Sequence, residues 1–193
     1  MKALIVYGTR GGATREIAEE IGKVFVGQGL AVTVVDARRS KGIDVNAFDL
    51  VVVGSSVIMT MWKRQATAFL KRNAKALAGK NVALFSSGLA GKNPATVDDA
   101  RRSIAKVAAK FPAIKPLGLA YFGGYLDFNS KGRIDRFFSP VKKDMEKKGF
   151  DTSKPIDQRD WAAIRAWANG LAAKVHRPDR NDCISEARNT AII

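Results

Sequence analysis

Two glycines flanked by two threonines near the start of the chain form a candidate phosphate-binding loop. The segment Thr9-Arg10-Gly11-Gly12-Ala13-Thr14 follows an apolar run and precedes a helical pattern that begins near Arg15. Glycines let the backbone turn sharply and point successive N–H groups inward, and the start of the next helix adds partial positive charge. The hydroxyls of Thr9 and Thr14 can donate further hydrogen bonds. The pattern predicts that this loop binds a dianionic phosphate without a metal ion.

Other phosphate-binding motifs place their glycines and charges at different spacings. A P-loop has a lysine followed by serine or threonine after its last glycine, and the dinucleotide fingerprint reads G-x-G-x-x-G. The chain has Gly8, Gly11 and Gly12 with no lysine in the loop, so neither motif is present. Without the fingerprint, Asp36 is expected to cap the end of the second strand rather than to hold a ribose. The alternative for the loop itself is a plain strand-to-helix turn without a ligand.

The composition indicates one folded domain without disulfides. A chain of 193 residues buries roughly 70% of its unfolded surface. The single cysteine, Cys183, excludes an intramolecular disulfide, and the opening apolar segment is shorter than that of a signal peptide. No apolar run approaches the roughly 20 residues of a membrane span. We expect a cytoplasmic protein, with any membrane contact peripheral and at the inner face of the membrane.

The chain is strongly basic, with a formal net charge of +15 that is spread along its length. Such a surface favours anionic partners, which include acidic lipid, a substrate with carboxylates, an acidic protein and nucleic acid. The alternative is a well-solvated surface without a special partner. Nucleic acid is the least favoured partner, because the basic residues lack interleaved aromatic side chains on a recognisable binding module.

Short apolar runs alternate with helical patterns throughout the chain. Leu50-Val51-Val52-Val53 and Val82-Ala83-Leu84-Phe85 are apolar at consecutive positions, which suits parallel strands covered on both faces. The alternation predicts an α/β fold with a doubly wound sheet of five parallel strands in the order 2-1-3-4-5, over residues 1–175, followed by a basic tail at 176–193. Strands are predicted at 2–7, 31–35, 50–54, 81–86 and 116–122, and helices near 14–27, 63–78, 94–110 and 157–175, with a short helical turn at 44–48.

An insert at about 123–154 follows the fifth predicted strand and is longer than an ordinary connection. Ser139 is expected to cap, and Pro140 to begin, a second helix within it. The apolar stripe of the insert is expected to pack on the sheet, and a lipid-facing surface is the alternative. The stripe consists of residues at helical spacing surrounded by lysines and arginines: Ile134, Phe137, Phe138, Val141 and Met145.

The phosphate loop and the strand order resemble the flavodoxins, in which such a loop holds the phosphate of FMN. The resemblance implies that a second loop places Trp62 or Met59 against one face of the isoalloxazine ring. A third loop has small residues that let backbone N–H groups approach the ring edge. The implied FMN-binding residues are Thr9, Arg10, Gly11, Gly12, Ala13, Thr14, Ser55, Ser56, Val57, Ile58, Met59, Trp62, Ser86, Ser87, Gly88, Leu89, Ala90 and Gly91.

Chemistry on a flavin requires little from side chains, because N5 of the ring itself accepts hydride or single electrons. We therefore predict no catalytic side chain. The one histidine, His176, is expected to lie at the surface, and the chain has no Cys/His spacing typical of a metal site.

Motifs along most of the chain, from strand one to about Lys174, resemble the flavodoxin-like menaquinone-dependent protoporphyrinogen IX dehydrogenases. The resemblance implies that FMN takes electrons from protoporphyrinogen IX and passes them to a quinone, in haem biosynthesis. The chain departs from that family at Ile58 and Thr60, where an arginine and a glycine are usual, and in a more polar run at 142–148. The motifs are T-R-x-G-x-T at 9–14, V-G-S-S at 53–56, R-I-D-R-F-F at 133–138, D-T-S-K at 151–154 and D-W at 160–161.

These observations lead to an ordered set of functional hypotheses. The first is an FMN oxidoreductase of the protoporphyrinogen type, whose partners are the porphyrinogen and a quinone or redox protein. The alternative is a flavodoxin-type electron carrier for another redox partner. A nucleic-acid or anion-binding protein is the third, and it rests on charge alone.

Overall fold

A computed structural model describes residues 1–58, 61–90, 94–128, 142–147 and 149–176, with the backbone alone described at 58 and 94–97. Strands and helices alternate along these residues. Two short 3₁₀ helices, Ala37–Arg39 and Val45–Ala47, lie between the second and third strands. The elements are β1 (Lys2–Gly8), α1 (Ala13–Gly27), β2 (Ala31–Asp36), β3 (Leu50–Ile58), β4 (Met61–Trp62), α2 (Arg64–Leu77), β5 (Asn81–Gly88), α3 (Pro94–Ala108), β6 (Pro116–Gly123), β7 (Tyr125–Leu126), α4 (142–147), β8 (Ile156–Asp157) and α5 (Trp161–His176).

The main sheet has the order β2-β1-β3-β5-β6, and these five strands are parallel. Numbered along the chain, the parallel strands follow the predicted order 2-1-3-4-5, which is therefore confirmed. The short strand β4 was not predicted. It pairs antiparallel with the end of β3, where Val57 lies opposite Trp62.

Helices cover both faces of the sheet, which explains the continuous apolar runs in its strands. Ala3 and Ile5 pack in a core with α1 and α5, whereas Leu4 and Val6 pack in a core with α2 and α3. Successive side chains of a strand point to opposite faces, so the four consecutive residues at 3–6 of β1 are all buried, two against each layer of helices. The doubly wound architecture predicted from the sequence is the one observed.

Three predicted boundaries were wrong. β3 continues beyond the predicted end at 54 as far as Ile58, because its polar residues keep the ladder with β5, in which Ser55 pairs with Ser86 and Ser56 with Ser87. β5 in turn continues to Gly88 rather than ending at 86. The last helix begins at Trp161 rather than 157, because the preceding residues form β8 and pair antiparallel with β7.

Three smaller predictions are confirmed. The carboxylate of Asp36 caps the 3₁₀ helix after β2 by accepting the N–H of Arg38 at 2.8 Å. The helical turn predicted at 44–48 is the 3₁₀ helix Val45–Ala47. His176 is exposed at the end of α5.

The insert is described only in part. The predicted stripe residues Ile134, Phe137, Phe138 and Val141, and the division at Ser139-Pro140, lie outside the described residues, as do 177–193 of the tail. Met145 lies in α4 and is buried, with 7% of its surface exposed, as expected of a side chain that packs inward. Within the described ranges, every helix falls short of the length and apolar character that crossing a membrane requires.

Candidate cofactor site

The predicted phosphate loop is a tight turn between β1 and α1. The N–H of Gly12 donates to the hydroxyl oxygen of Thr9 at 2.9 Å, and Gly12 adopts a left-handed φ of 99°. Its carbonyl accepts the N–H of Arg15 at 2.8 Å and so begins the helix. In this described segment no side chain caps α1, so the N–H groups of its first residues have no side-chain acceptor. The loop therefore suits an anionic group at the start of α1.

The segment between β3 and α2 lies directly beside this loop. A Cβ on Gly8, at the end of β1, would lie only 3.1 Å from the Cβ of Lys63 and 3.2 Å from that of Ala66. The backbone N–H of Lys63 donates to the hydroxyl of Ser55 at 2.8 Å. The start of α2 is thus held against the end of the sheet, and the first two predicted loops are neighbours.

The end of β5 joins all three predicted segments through hydrogen bonds. The indole N–H of Trp62 donates to the hydroxyl of Ser86 at 2.8 Å. The hydroxyls of Ser87 and Thr14 share a buried hydrogen bond, also 2.8 Å long. The phenol of Tyr121, from β6, donates to the carbonyl of Gly88 at 2.6 Å. The carboxyl end of the sheet therefore carries the three loops as one connected unit.

These bonds show what several predicted site residues do in the folded chain. Thr14 is buried, and its hydroxyl forms a hydrogen bond with that of Ser87. The hydroxyl of Ser55 accepts the backbone N–H of Lys63. Trp62 has 8% of its surface exposed and packs into the core beside α2. These side chains support the loops, and their direct contact with a flavin stays a prediction.

The hydroxyl of Ser56 distinguishes this end of the sheet from an ordinary core. Among the described side chains, its Oγ is the one buried oxygen or nitrogen without a hydrogen-bond partner. A buried hydroxyl without a partner costs about 1–3 kcal/mol, so a further partner is expected there. A ligand with polar edge atoms, such as the ring of a flavin, fits this requirement.

The remaining predicted residues vary in their surroundings. Arg10 and Gly11 are exposed, and a Cβ on Gly11 would meet nothing within 4 Å. Ala13 and Ala90 are buried, whereas Val57 and Leu89 are half-buried. Ile58 ends β3. Met59 and Gly91 lie outside the described residues.

No local sequence pattern pointed to Gln158 and Arg159, two residues that follow the insert and contact this site. Gln158 bonds through its side-chain amide to the backbone N–H and carbonyl of Ala90, 68 residues away along the chain. Arg159 pairs with Glu16 in the first turn of α1 and with Asp157. Asp157 accepts hydrogen bonds from the Arg159 guanidinium, and this holds its pKa below the usual value.

Two further features of the site concern exposure and protonation. Met61 is 67% exposed beside the buried Trp62, so it presents apolar surface to a ligand, although it was not among the predicted site residues.

Burial raises the pKa of Tyr121 to about 12, so its phenol stays neutral and remains a donor to Gly88. In the described part of the chain, no three His, Cys, Asp or Glu side chains are grouped closely enough to hold a metal ion.

The model of the flavodoxin domain family matches residues 4–153, which include both the phosphate loop and most of the insert. The chain belongs to this family. An Escherichia coli K12 relative, named protoporphyrinogen IX dehydrogenase (quinone), is 26% identical over 92% of this flavodoxin-domain chain and 98% of its own. A relative of the same name from Leishmania major is 24% identical, over 89% of this chain and 75% of its own.

Solved structures agree with the assignment of the fold. An archaeal flavodoxin superposes with a TM-score of 0.54 at 18% identity and covers 92% of this chain and 100% of its own. A short-chain flavodoxin associated with a non-canonical PDU bacterial microcompartment gives a TM-score of 0.58 at 14% identity, over 91% of this chain and 99% of its own. At these identities the two structures establish the fold alone.

Proposed function

We propose that this protein is an FMN-dependent oxidoreductase that passes electrons from protoporphyrinogen IX to a quinone in haem biosynthesis. The observation that carries the cofactor assignment is the set of three loops joined at the end of β5, with the buried Ser56 hydroxyl left without a partner. The relatives named protoporphyrinogen IX dehydrogenase (quinone) support the substrate and the acceptor, since the alignment covers nearly the whole chain.

The residues of the site divide between the two ends of the cofactor. The N–H groups of Gly11 and of the first turn of α1 would hold the phosphate, while Gly12, whose N–H donates to Thr9, would form the turn. Ser56 and the backbone around Leu89 would hold the polar edge of the ring. FMN, when bound, supplies the redox chemistry through N5 of its ring, so the protein has to bind it, orient it and exclude water.

Positive charge around the site supports an anionic substrate. Arg10 lies in the phosphate loop, and Arg64 begins α2 beside it; both side chains are exposed. Such charges would attract the propionates of a porphyrinogen as well as the cofactor. We further propose a cytoplasmic location in which the basic surface meets the anionic inner face of the membrane, where a quinone acceptor would lie.

The test has two stages. Purified protein is first titrated with FMN and with riboflavin, which lacks the phosphate, and binding is followed by flavin fluorescence. FMN is expected to bind tightly and riboflavin much more weakly, because only FMN has the phosphate that the loop at 9–14 would hold. The loaded protein is then mixed anaerobically with protoporphyrinogen IX, which should bleach the flavin absorbance, and addition of a quinone should restore it. A bleaching rate no faster than that of free FMN would refute the proposed substrate.

A second candidate is an electron carrier for an acidic protein partner, and the outer face of α2 favours it. Arg64, Lys71 and Lys75 are exposed there, and none of them has an ion pair within the described residues. The chain has no acidic residue between Asp49 and Asp98. Reduction of bound FMN by dithionite in two resolved one-electron steps, without reduction by the porphyrinogen, would favour this carrier role.

A further inference from the structure

The side chain of Gln158 makes two hydrogen bonds to a single residue of the third cofactor loop. Its Oε1 accepts the N–H of Ala90 and its Nε2 donates to the carbonyl of Ala90, both at 3.0 Å. Ala90 lies beyond the end of β5, where the strand ladder no longer fixes the backbone. The Gln158 amide therefore satisfies both the N–H and the carbonyl of Ala90, as a neighbouring strand would for a residue within a sheet.

Gln158 is itself held by close backbone contacts. Its N–H donates to the carbonyl of Gly124 at 2.9 Å, next to the paired strands β7 and β8. A Cβ on Gly123 would lie 1.8 Å from the carbonyl oxygen of Gln158, and one on Gly124 would lie 2.8 Å from the carbonyl carbon of Gly88. Only glycine fits at these two positions, so the segment after the insert is pressed against the end of β5.

The next residue ties the same segment to α1. The side chain of Arg159 is only 8% exposed and forms an ion pair with Glu16. Its guanidinium lies between the rings of Tyr125 and Trp161, 4.9 and 4.7 Å from their centroids. Gln158 is therefore held in place by its own backbone contacts and by those of the adjacent Arg159. The position of Ala90 depends in turn on Gln158.

We propose that Gln158 is a positioning residue for the cofactor, which sets the backbone of the third loop against the isoalloxazine ring. This inference rests on the proposed function, since it assigns a role toward bound FMN. The ring, and not the phosphate, is what this loop would contact. Loss of the Gln158 bonds should therefore weaken FMN and riboflavin equally and change the environment of the ring.

The test compares Gln158→Leu, which removes both bonds at similar size, with Gln158→Glu, which keeps the acceptor for the Ala90 N–H and loses the donor. The matched control is Gln28→Leu, because the amide of Gln28 also makes a long-range bond, to Asn169 at 3.0 Å, at the opposite end of α1. Affinities for FMN and riboflavin, the midpoint potential of bound FMN and amide hydrogen exchange at Ala90 in the apo-protein are measured.

We expect the affinity of Gln158→Leu for both flavins to fall about tenfold with their ratio unchanged, as loss of two hydrogen bonds implies. The midpoint potential should shift, exchange at Ala90 should accelerate, and Gln158→Glu should be intermediate. Gln28→Leu should match the wild type in all four measurements. If Gln158→Leu fails to fold, Gln158→Glu alone decides between these outcomes.

The outcomes separate this inference from the function on which it rests. Wild-type protein that binds neither flavin would refute the proposed function and the inference together. Wild-type protein that binds FMN, with Gln158 variants of unchanged affinity and potential, would overturn the inference alone. A loss confined to FMN would also overturn it, because the bonds would then act on the phosphate.

Discussion

Arg159 and Glu16 form an ion pair between two parts of the chain that are 143 residues apart. Glu16 lies in the first turn of α1, and its Oε1 is 3.9 Å from where a Cβ on Gly12 would lie. Because a carboxylate there would compete with a bound phosphate for the positive end of the helix, neutralisation by Arg159 favours phosphate binding.

Arg159→Met should therefore weaken FMN more than riboflavin, by about fivefold in the ratio of their affinities, because Glu16 is left as an uncompensated charge. The double variant Glu16→Gln/Arg159→Met should recover the ratio. Fluorescence titration with both flavins measures it. Arg165→Met is the matched control, since Arg165 pairs at 3.0 Å with Glu20, one turn further along α1. Equal losses for both flavins in Arg159→Met would contradict the electrostatic explanation.

The left-handed conformation of Gly12 gives a prediction about the phosphate loop. Gly12→Ala should lower the free energy of unfolding of the apo-protein by about 1–2 kcal/mol, because a Cβ is strained at a φ of 99°. Gly11→Ala is the control, since its added Cβ meets nothing within 4 Å. Denaturant unfolding of both variants measures the difference, and equal stabilities would show that the loop relaxes without cost.

Gly54 in β3 lies directly against the ring of Phe85 in β5. A Cβ on Gly54 would come within 2.0 Å of the ring, which is itself packed 5.8 Å from Phe122 and 6.2 Å from Trp167. Gly54→Ala should therefore destabilise the protein by about 3 kcal/mol or more, since the ring has no space into which to move.

Adding Phe85→Leu to Gly54→Ala should recover part of this loss, so that the double variant is more stable than the sum of the single effects predicts. Thermal or denaturant unfolding of the full cycle measures the coupling. Gly79→Ala is the control, because a Cβ there meets no atom within 4 Å. Additive effects within experimental error would mean that the ring and the added methyl group do not collide.

The half-buried phenol of Tyr121 predicts a loss of stability in alkali. Its folded pKa is raised to about 12, above the value of about 10 for an unfolded tyrosine. Because the folded state binds this proton more tightly, the contribution is complete below about pH 10 and is lost as the pH rises through 12. Tyr121→Phe should be less stable at neutral pH by about 1 kcal/mol, since the bond to Gly88 is gone.

Above about pH 10, the free energy of unfolding of Tyr121→Phe should fall less steeply with pH than that of the wild type. Denaturant unfolding at a series of alkaline pH values gives both slopes. Tyr125→Phe serves as the control, because Tyr125 is exposed whereas Tyr121 is half-buried. Parallel slopes for the wild type and Tyr121→Phe would show that another group causes the alkaline loss.

Structural features that depend on residues adjacent in the sequence were predictable. Consecutive apolar residues such as Leu50-Val51-Val52-Val53 identified strands buried on both faces, and their alternation with helices predicted the strand order that is observed. The turn at Gly12 was predictable for the same reason, because a left-handed residue between a strand and a helix requires glycine locally.

Only the tertiary structure decided how the candidate site is held together. The strand ends beyond 54 and 86 looked like loops, because serines seldom signal a strand, yet Ser86 and Ser87 are buried and satisfied by Trp62 and Thr14. Gln158 likewise has no local pattern that points to Ala90. Secondary-structure propensity and the periodicity of burial depend on residues that are close in the sequence. Hydrogen bonds between distant segments form only when packing brings those segments together.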